Sequence, residues 1–336
     1  MSAGRPHKRT VRVLSDSSTI WNVDMAYELG KRLVIGVASS AMFNLKESDT
    51  VFRTGGEEEY RKYQSKNVDN PLDKGVSFSF IKRLLSLNNL RDNQETDPLV
   101  EVVLLSRNDP DTGLRVMKSI EHHQLPISRA IFMQGKSPYE YIPALSISLF
   151  LSANSSDIKE AIGMGYPAGH VRRSTIVDED DDDLRIAFDF DGVLADDESE
   201  AVMHHTSLSE FHDHETKNVL EPHNPGPLKE FLVKISDIQK LEEQKKRDDS
   251  EYKNRLRVSI VTARNAPSHE RALNTLKEWG VMANDAFFLG GVDKGLILGV
   301  LKPHIFFDDQ SVHLDSTSSV APSVHIPFGI KNTDIS

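Results

Sequence analysis

The sequence predicts an α/β protein of Rossmann-like type, with parallel sheets in two similar halves. Three observations carry this. Short apolar runs alternate with helical patterns along most of the chain, a block of six carboxylates interrupts the alternation, and the alternation then restarts with matching residues in the same order. Strands that alternate with helices form a parallel sheet covered on both faces.

Residues 1–30 are polar and Ser-rich and read as a flexible tail with one short helix near Trp21–Leu29. Ordered structure is expected from Lys31. Leu33-Val34-Ile35-Gly36-Val37-Ala38 is a buried-strand pattern, followed by Val100–Leu105, Ala130–Met133 and Ser148–Leu151. Ser77–Leu90 and Gly113–His122 are helical patterns between them. Asp178-Glu179-Asp180-Asp181-Asp182-Asp183 then supplies six carboxylates in a row. Contiguous like charges repel and stay extended, so 177–183 reads as a solvated linker. It divides a half at 31–176 from a half at 184–330.

In the second half the strands are Leu184–Phe188, Arg257–Val261, Ala286–Leu289 and His304–Phe307, with an amphipathic helix at Pro267–Trp279. A long insert, 195–256, separates the first two strands. It holds a helical pattern at Pro227–Ile238 and a charged stretch, Gln239–Lys253, read as a solvated helix or loop. The halves align by motif. Leu33–Ala41 matches Leu184–Gly192, Leu105–Asn108 matches Thr262–Asn265, Ala130–Gly135 matches Ala286–Gly291, and Ser148–Asn154 matches His304–Gln310. An internal duplication is therefore expected.

Composition narrows the function. The 336 residues suit about two domains. With 40 basic and 51 acidic residues the formal net charge is −11, which argues against a nucleic-acid partner bound by a basic surface. The chain has no cysteine, which excludes disulfides, thiolate zinc sites and cysteine nucleophiles. No apolar run approaches the roughly 18–20 residues of a membrane span, so no membrane partner is expected. Met1–Ser18 carries Arg5, Lys8, Arg9 and Arg12 without an apolar stretch, unlike a secretory signal, and a cytoplasmic location is the expectation. Self-association into a homo-oligomer is left open.

The chemistry concentrates at strand ends. Asp189-Phe190-Asp191-Gly192 follows the strand Leu184–Phe188 directly, where ligands bind in open α/β sheets. Asp189 can attack a phosphoryl group covalently, and Asp191 can protonate the leaving oxygen and later deprotonate water. Gly192 permits the tight turn. Thr262 ends another strand with a hydroxyl for a phosphoryl oxygen, and Lys294 can neutralise nucleophile and phosphate. Asp308-Asp309 ends a third strand with hard oxygen ligands suited to Mg²⁺. Any one of these is ordinary. The ordered set, each member after its own apolar run, points to phosphoryl transfer.

This arrangement resembles the haloacid dehalogenase superfamily of phosphatases, and more closely the cytosolic type I 5′-nucleotidases. The closer resemblance rests on Val37–Leu45, Glu58-Glu59-Tyr60 with Tyr63-Gln64, Thr112–Arg115, Ser137-Pro138 and Leu149–Ala153. It continues through Ala187–Leu194, Asp197–Glu200, Gly226–Lys229, Val261–Arg264 and Pro303–Gln310. It implies Mg²⁺-dependent hydrolysis of nucleoside 5′-monophosphates, AMP prominently, to nucleoside and phosphate. It also implies that Asp189 is nucleophile and metal ligand, and that Asp191 is the acid/base with its backbone carbonyl on the metal. Thr262 and Lys294 would hold the phosphoryl group, Asp308 would ligate the metal, and Asp309 would ligate it through water or orient the ligands. Familiar members carry D-G-D-A where this chain has Asp189-Phe190-Asp191-Gly192, which keeps both carboxylates and puts only nucleotide preference in question.

In the first half the matching positions are Ala38, Ser40, Leu105, Ser152 and Ala153, so that half is expected to be catalytically empty. Arg107, Asn108, Lys136 and Ser137 are its candidates for a substrate or effector pocket, or else plain loop residues. The insert is expected to be a cap over the active site. His204, His205, His212, His214 and His223 lie in it without a zinc-site spacing, and Phe211 is a candidate for base stacking or for core. Two rival functions remain at this level: a phosphatase of another small phosphomonoester, such as a sugar phosphate, or a nucleotide-binding regulatory protein with vestigial turnover.

Overall fold

The computed structural model describes residues 27–93, 97–174, 176, 178 and 181–335. The expected helix near Trp21–Leu29 lies almost wholly outside them. The expected tail is shorter than 1–30, because Tyr27 already packs against the guanidinium groups of Arg32 and Arg129, 4.1 and 4.4 Å from its ring centre.

The first half contains β1 (Leu33–Val37), α1 (Ser39–Met42), α2 (Lys46–Lys66), α3 (Phe78–Ser86), β2 (Val100–Ser106), α4 (Pro110–His122), β3 (Arg129–Phe132), β4 (Ile147–Ser152), α5 (Ser155–Gly163) and β5 (Ala168–Val171). The second contains β6 (Leu184–Phe188), α6 (Glu198–His205), α7 (Leu208–Lys217), α8 (Lys229–Asp248), β7 (Leu256–Thr262), α9 (His269–Glu278), β8 (Asp285–Phe288), α10 (Lys294–Leu301), β9 (Ile305–Asp308), α11 (Ser311–Thr317) and β10 (Ser323–His325).

Among the described residues ten strands join one sheet, in the order β3-β2-β1-β4-β5-β10-β9-β6-β7-β8. The order reads 3-2-1-4-5 from one edge and 8-7-6-9-10 from the other, so the halves share one topology. Every pairing is parallel except β5 with β10, which meet antiparallel at the junction. The carboxyl ends of the two sets of strands therefore face opposite edges of the sheet.

The register repeats as well. Leu33 pairs with Val100 as Leu184 pairs with Leu256, and Ile35 pairs with Leu149 as Ile186 pairs with Ile305. Ser106 pairs with Phe132 as Thr262 pairs with Phe288, which corrects one expected match. The counterpart of Thr262 is Ser106, not Leu105. A one-residue slip on a strand turns the side chain to the other face. Ser106 also copies the local bonding of Thr262: its hydroxyl accepts the Asn108 N–H at 3.1 Å, as Thr262 Oγ1 accepts that of Arg264 at 3.3 Å.

Parallel strands covered on both sides bury both sets of side chains, and these do so differently. On one face Ile35, Leu104, Ile186, Phe188 and Phe307 belong to a single core that runs through both halves. On the other face two separate cores sit beneath the halves, one around Val34, Val103 and Phe150, the other around Ala187, Val261 and Phe306. The shared core is crossed by helices from the opposite half. α3 packs on β6, and α8 packs on β1 and β4. The halves thus share one core across the run 177–183.

Two further expectations change. The insert 195–256 is not a cap throughout. Phe231, Leu232, Ile235 and Ile238 repeat at helical spacing and are buried in the shared core, with the Phe231 ring 5.9 Å from both Phe188 and Phe307. Truncating a buried ring of this kind costs about 3–5 kcal/mol. The charged stretch after Ile238 continues the same helix, and its Glu242, fully buried, accepts the N–H groups of Arg255 and Leu256 at 3.0 Å each. Only α6 and α7 are left as candidates for the expected cap. The acidic run is not wholly solvated either. Asp178 and Asp181 reach the buried Arg83 of α3 at 3.0 and 2.5 Å, and Asp181 also pairs with Arg185. Opposite charge outweighs the repulsion within the run.

Candidate active site

The site forms at the carboxyl ends of β6, β7 and β9, where the chain leaves the sheet. Asp189, one residue past β6, donates its backbone N–H to the Phe307 carbonyl at 2.8 Å, so the strand geometry fixes its position. One carboxylate oxygen accepts the Phe190 N–H at 2.7 Å, and the other accepts Lys294 Nζ at 2.5 Å. Lys294 begins α10, whose N-cap is Asp293, and also donates to Asp308 Oδ2 at 2.7 Å. Asp308 ends β9. It accepts the Gln310 N–H at 2.8 Å and lies 3.2 Å from His313 Nδ1. Asp189, Lys294 and Asp308 are all buried, so one ammonium joins two carboxylates with little access to solvent.

That environment sets the charges. Burial pushes the Asp189 acid up to about 6 against the opposing pull of Lys294. Burial acts the same way on Asp308, but Lys294 and His313 outweigh it and bring it down to about 2. Lys294 is held firmly protonated: burial disfavours its charge, and the two carboxylates more than restore it.

Asp309 is the exception. It is fully buried, and neither carboxylate oxygen has a hydrogen-bond partner. Burial, then Asp189, Glu200 and Asp308, pushes its acid up to about 10. A buried carboxylate without a donor is costly and rare, and it marks where an external cation or donor is needed. Gly192 lies against it. With φ at +69°, a Cβ there would stand 2.7 Å from Asp309 Cγ. Glu200 of α6 repeats the pattern: one oxygen accepts Gln310 Nε2 at 2.7 Å, the other is buried without a partner, and burial followed by Asp191 raises its acid to about 7. Among the described residues, Asp189, Asp308 and His313 form a group able to hold a metal ion.

Thr262 ends β7 fully buried, with its hydroxyl proton free to donate. Asp191 turns away from Lys294. Both its oxygens accept from Arg264, at 2.7 Å from Nε and 2.6 Å from Nη2. The sequence singled out none of Arg264, Glu200, Glu215 and His313 individually. An arginine two residues past a strand looks like any loop arginine, and Glu215 sits in a stretch where the histidines draw attention. Those histidines diverge. His212 bonds Asn265 and His214 meets Glu198, His223 is buried against Thr275, and His204 and His205 are exposed at the end of α6. Phe211 is buried beside Arg264 and is not available for base stacking.

In the first half the corresponding points carry no such chemistry. Ala38 donates its N–H to Leu151 as Asp189 does to Phe307, at the same 2.8 Å, but offers no carboxylate. Ser40 and Ser152 meet each other at 3.3 Å, and Ser152 donates to Asp157. Arg107 is paired with Asp157 and Glu160.

A Rossmann-like half-sheet with an aspartate pair at the end of its middle strand, and a buried lysine that joins the first aspartate of that pair to the first of a second pair, defines a protein of the haloacid dehalogenase-like class. Comparison with known proteins narrows the class. The 5′-nucleotidase family model matches residues 25–333. The chain is 34% identical over 308 residues to the human protein named Cytosolic 5′-nucleotidase 1B, a match covering 89% of this chain and 49% of that one. It belongs to the cytosolic type I 5′-nucleotidase family. The chain spans about half the length of that curated relative, and no solved structure gives a significant match. Among the described residues no helix is long and apolar enough to cross a membrane.

Proposed function

We propose that this protein is a 5′-nucleotidase that hydrolyses nucleoside 5′-monophosphates, AMP-like ones included, through a phosphoaspartyl intermediate. The observation that carries the reading is the buried Asp189–Lys294–Asp308 bridge beside the unpartnered carboxylate of Asp309. In the first step an Asp189 oxygen attacks phosphorus, the P–O bond to the nucleoside breaks, and Asp191 gives its proton to the departing 5′-oxygen. In the second, Asp191 takes a proton from water as that water attacks phosphorus, which releases phosphate and restores Asp189. Lys294 and the Thr262 hydroxyl hold the phosphoryl oxygens, and the buried setting strengthens both contacts.

The donor set fits a hard divalent cation such as Mg²⁺. Asp189, Asp308 and Asp309 supply buried carboxylate oxygens at this end of the sheet, and neither Asp309 oxygen has a hydrogen-bond partner. These residues and the Asp191 carbonyl would hold it. When bound, such a cation offsets the repulsion between an anionic nucleophile and an anionic phosphoryl group.

A turnover screen of nucleoside monophosphates and sugar phosphates tests the reading, with and without EDTA and with Asp189→Asn in parallel. The expected result is phosphate release from nucleoside monophosphates that EDTA stops, Mg²⁺ restores and Asp189→Asn abolishes. Preference for sugar phosphates would move the substrate class. Tight nucleotide binding without turnover would establish the regulatory rival, and full activity of Asp189→Asn would end the phosphoaspartyl mechanism.

A further inference from the structure

The cap is joined to the acid/base by a buried charge network. Arg264, 4% exposed, has five N–H donors, and each finds a partner. Nε and one Nη2 proton hold the two oxygens of Asp191, and Nη2 also meets His223 Nε2 at 2.9 Å. Nη1 bonds Glu215 and the Ser268 carbonyl. The rings of Phe190 and Phe211 stand 5.1 and 5.5 Å from the guanidinium carbon, so the loop carrying Asp191 and the cap helix α7 both pack on it.

Glu215 is the network's other centre. It lies on α7 with a fully buried side chain, and takes Ser199 Oγ of α6 at 2.7 Å and Arg271 Nη1 of α9 at 3.0 Å besides Arg264. Its carboxyl is held well below the ordinary range. Burial alone would raise it, and the bond from the Ser199 hydroxyl with the charge of Arg264 outweighs that. Arg264 and Arg271 thus face three carboxylates, Asp191, Glu215 and, at 3.5 Å from Arg271, the partly exposed Glu198. Removing Glu215 leaves a buried cation with one anionic partner, and such a change is felt by the partner that remains.

We propose that Arg264 is a positioning residue that orients the carboxylate of Asp191, and that Glu215 of the cap anchors Arg264 in that orientation. The inference rests on the acid/base reading of Asp191 given above. It makes α6 and α7 part of the catalytic geometry as well as a cover. A lysine cannot replace Arg264, since a point charge lacks the planar fork that fixes both Asp191 oxygens at once.

The test compares two substrates in wild type, Asp191→Asn, Arg264→Lys, Glu215→Gln and the Arg264→Lys/Glu215→Gln double variant. AMP departs as an alkoxide that needs a proton. 4-Nitrophenyl phosphate departs as a stable phenolate that does not, and its first step is read as the burst of nitrophenolate. Arg264→Lys is expected to lower kcat with AMP by roughly 10- to 100-fold, with KM changed less than about threefold and the 4-nitrophenyl phosphate burst nearly unchanged. Glu215→Gln, nearly isosteric, is expected to show the same pattern at about tenfold, and the double variant to be no worse than Arg264→Lys alone. If Arg264→Lys gives no cooperative melt, Glu215→Gln carries the test by the same substrate contrast.

Equal losses on both substrates, a loss confined to KM, or additive losses in the double variant would overturn the proposal. Asp191→Asn separates the two readings. If it spares the burst and slows AMP while Arg264→Lys and Glu215→Gln hit both substrates alike, the positioning role alone is wrong. If Asp191→Asn itself shows no contrast, the acid/base reading fails and takes the positioning role with it.

Discussion

Gly192→Ala is the change that best separates backbone conformation from close packing at the site. Gly192 has φ at +69°, where a side chain costs roughly 1–2 kcal/mol. Its added Cβ would also stand 2.7 Å from Asp309 Cγ, 2.8 Å from Oδ2 and 3.0 Å from Cβ, against the 3.4 Å at which ordinary contact begins. Asp309 is fully buried and cannot swing into solvent, so the loop bearing Asp191 or Asp309 itself must shift by about 0.7 Å, with an overpacking cost of roughly 1–3 kcal/mol. The sum is roughly 2–5 kcal/mol of stability. A shift of that size at reacting groups is also expected to lower turnover by about 100-fold. Gly135→Ala is the control, because Gly135 has φ at +82° with nothing within 4 Å of its Cβ. It should lose only the conformational part, roughly 1–2 kcal/mol, and keep full turnover. Urea melts and an Mg²⁺ titration of kcat read both. If the two variants prove equally stable and equally active, the close approach to Asp309 is not what requires glycine at 192.

Asp181→Ser should destabilise by roughly 1–3 kcal/mol in urea melts, because it strips the buried Arg83 of one carboxylate. Turnover should be unchanged, since the run lies at the sheet edge opposite the site, and Asp182→Ser, at an exposed position, should do nothing measurable in the same melts. His304 supplies a pH dependence. Its Nδ1 accepts the Arg185 N–H at 2.9 Å, and burial, then Arg83 and Arg185, lowers its pKa from 6.5 to about 4. The unfolded chain therefore takes up the proton first, so stability is fully present above about 6.5 and falls as pH drops toward 4. Melts of wild type and His304→Asn over that window should show the steeper fall in wild type, and parallel curves would remove His304 as the cause.

The main strands were legible because a buried parallel strand is a short, mostly apolar run: Leu33–Val37 is wholly so, Leu184–Phe188 is broken only by Arg185, and Leu256–Thr262 keeps Val258, Ile260 and Val261 around Arg257 and Ser259. α2 was not legible. It is mostly polar and exposed, carries Gly55-Gly56 inside, and is supported by pairs such as Glu57 with Arg61 and Glu58 with Lys62, which leave no apolar period to read. β5 and β10 escaped for another reason. Ala168-Gly169-His170-Val171 and Ser323-Val324-His325 are too short and mixed to announce strands, and they become strands because each borders the other at the junction.

By itself the sequence determined the parallel α/β class, the duplicated order of motifs, and the candidate set Asp189, Asp191, Thr262, Lys294, Asp308 and Asp309. Strand patterns and the residues at strand ends are local, and each is written in consecutive positions. Only the tertiary structure decided that the halves fuse into one sheet with opposed carboxyl edges, that α8 belongs to the core, and that Thr262 answers to Ser106. It also decided the charges. Asp309 without a partner, Lys294 between two carboxylates and Arg264 between Asp191 and Glu215 each join residues far apart in the chain. Coulomb energy in a buried site depends on distance and exclusion of water, and neither quantity is carried by any single stretch of sequence.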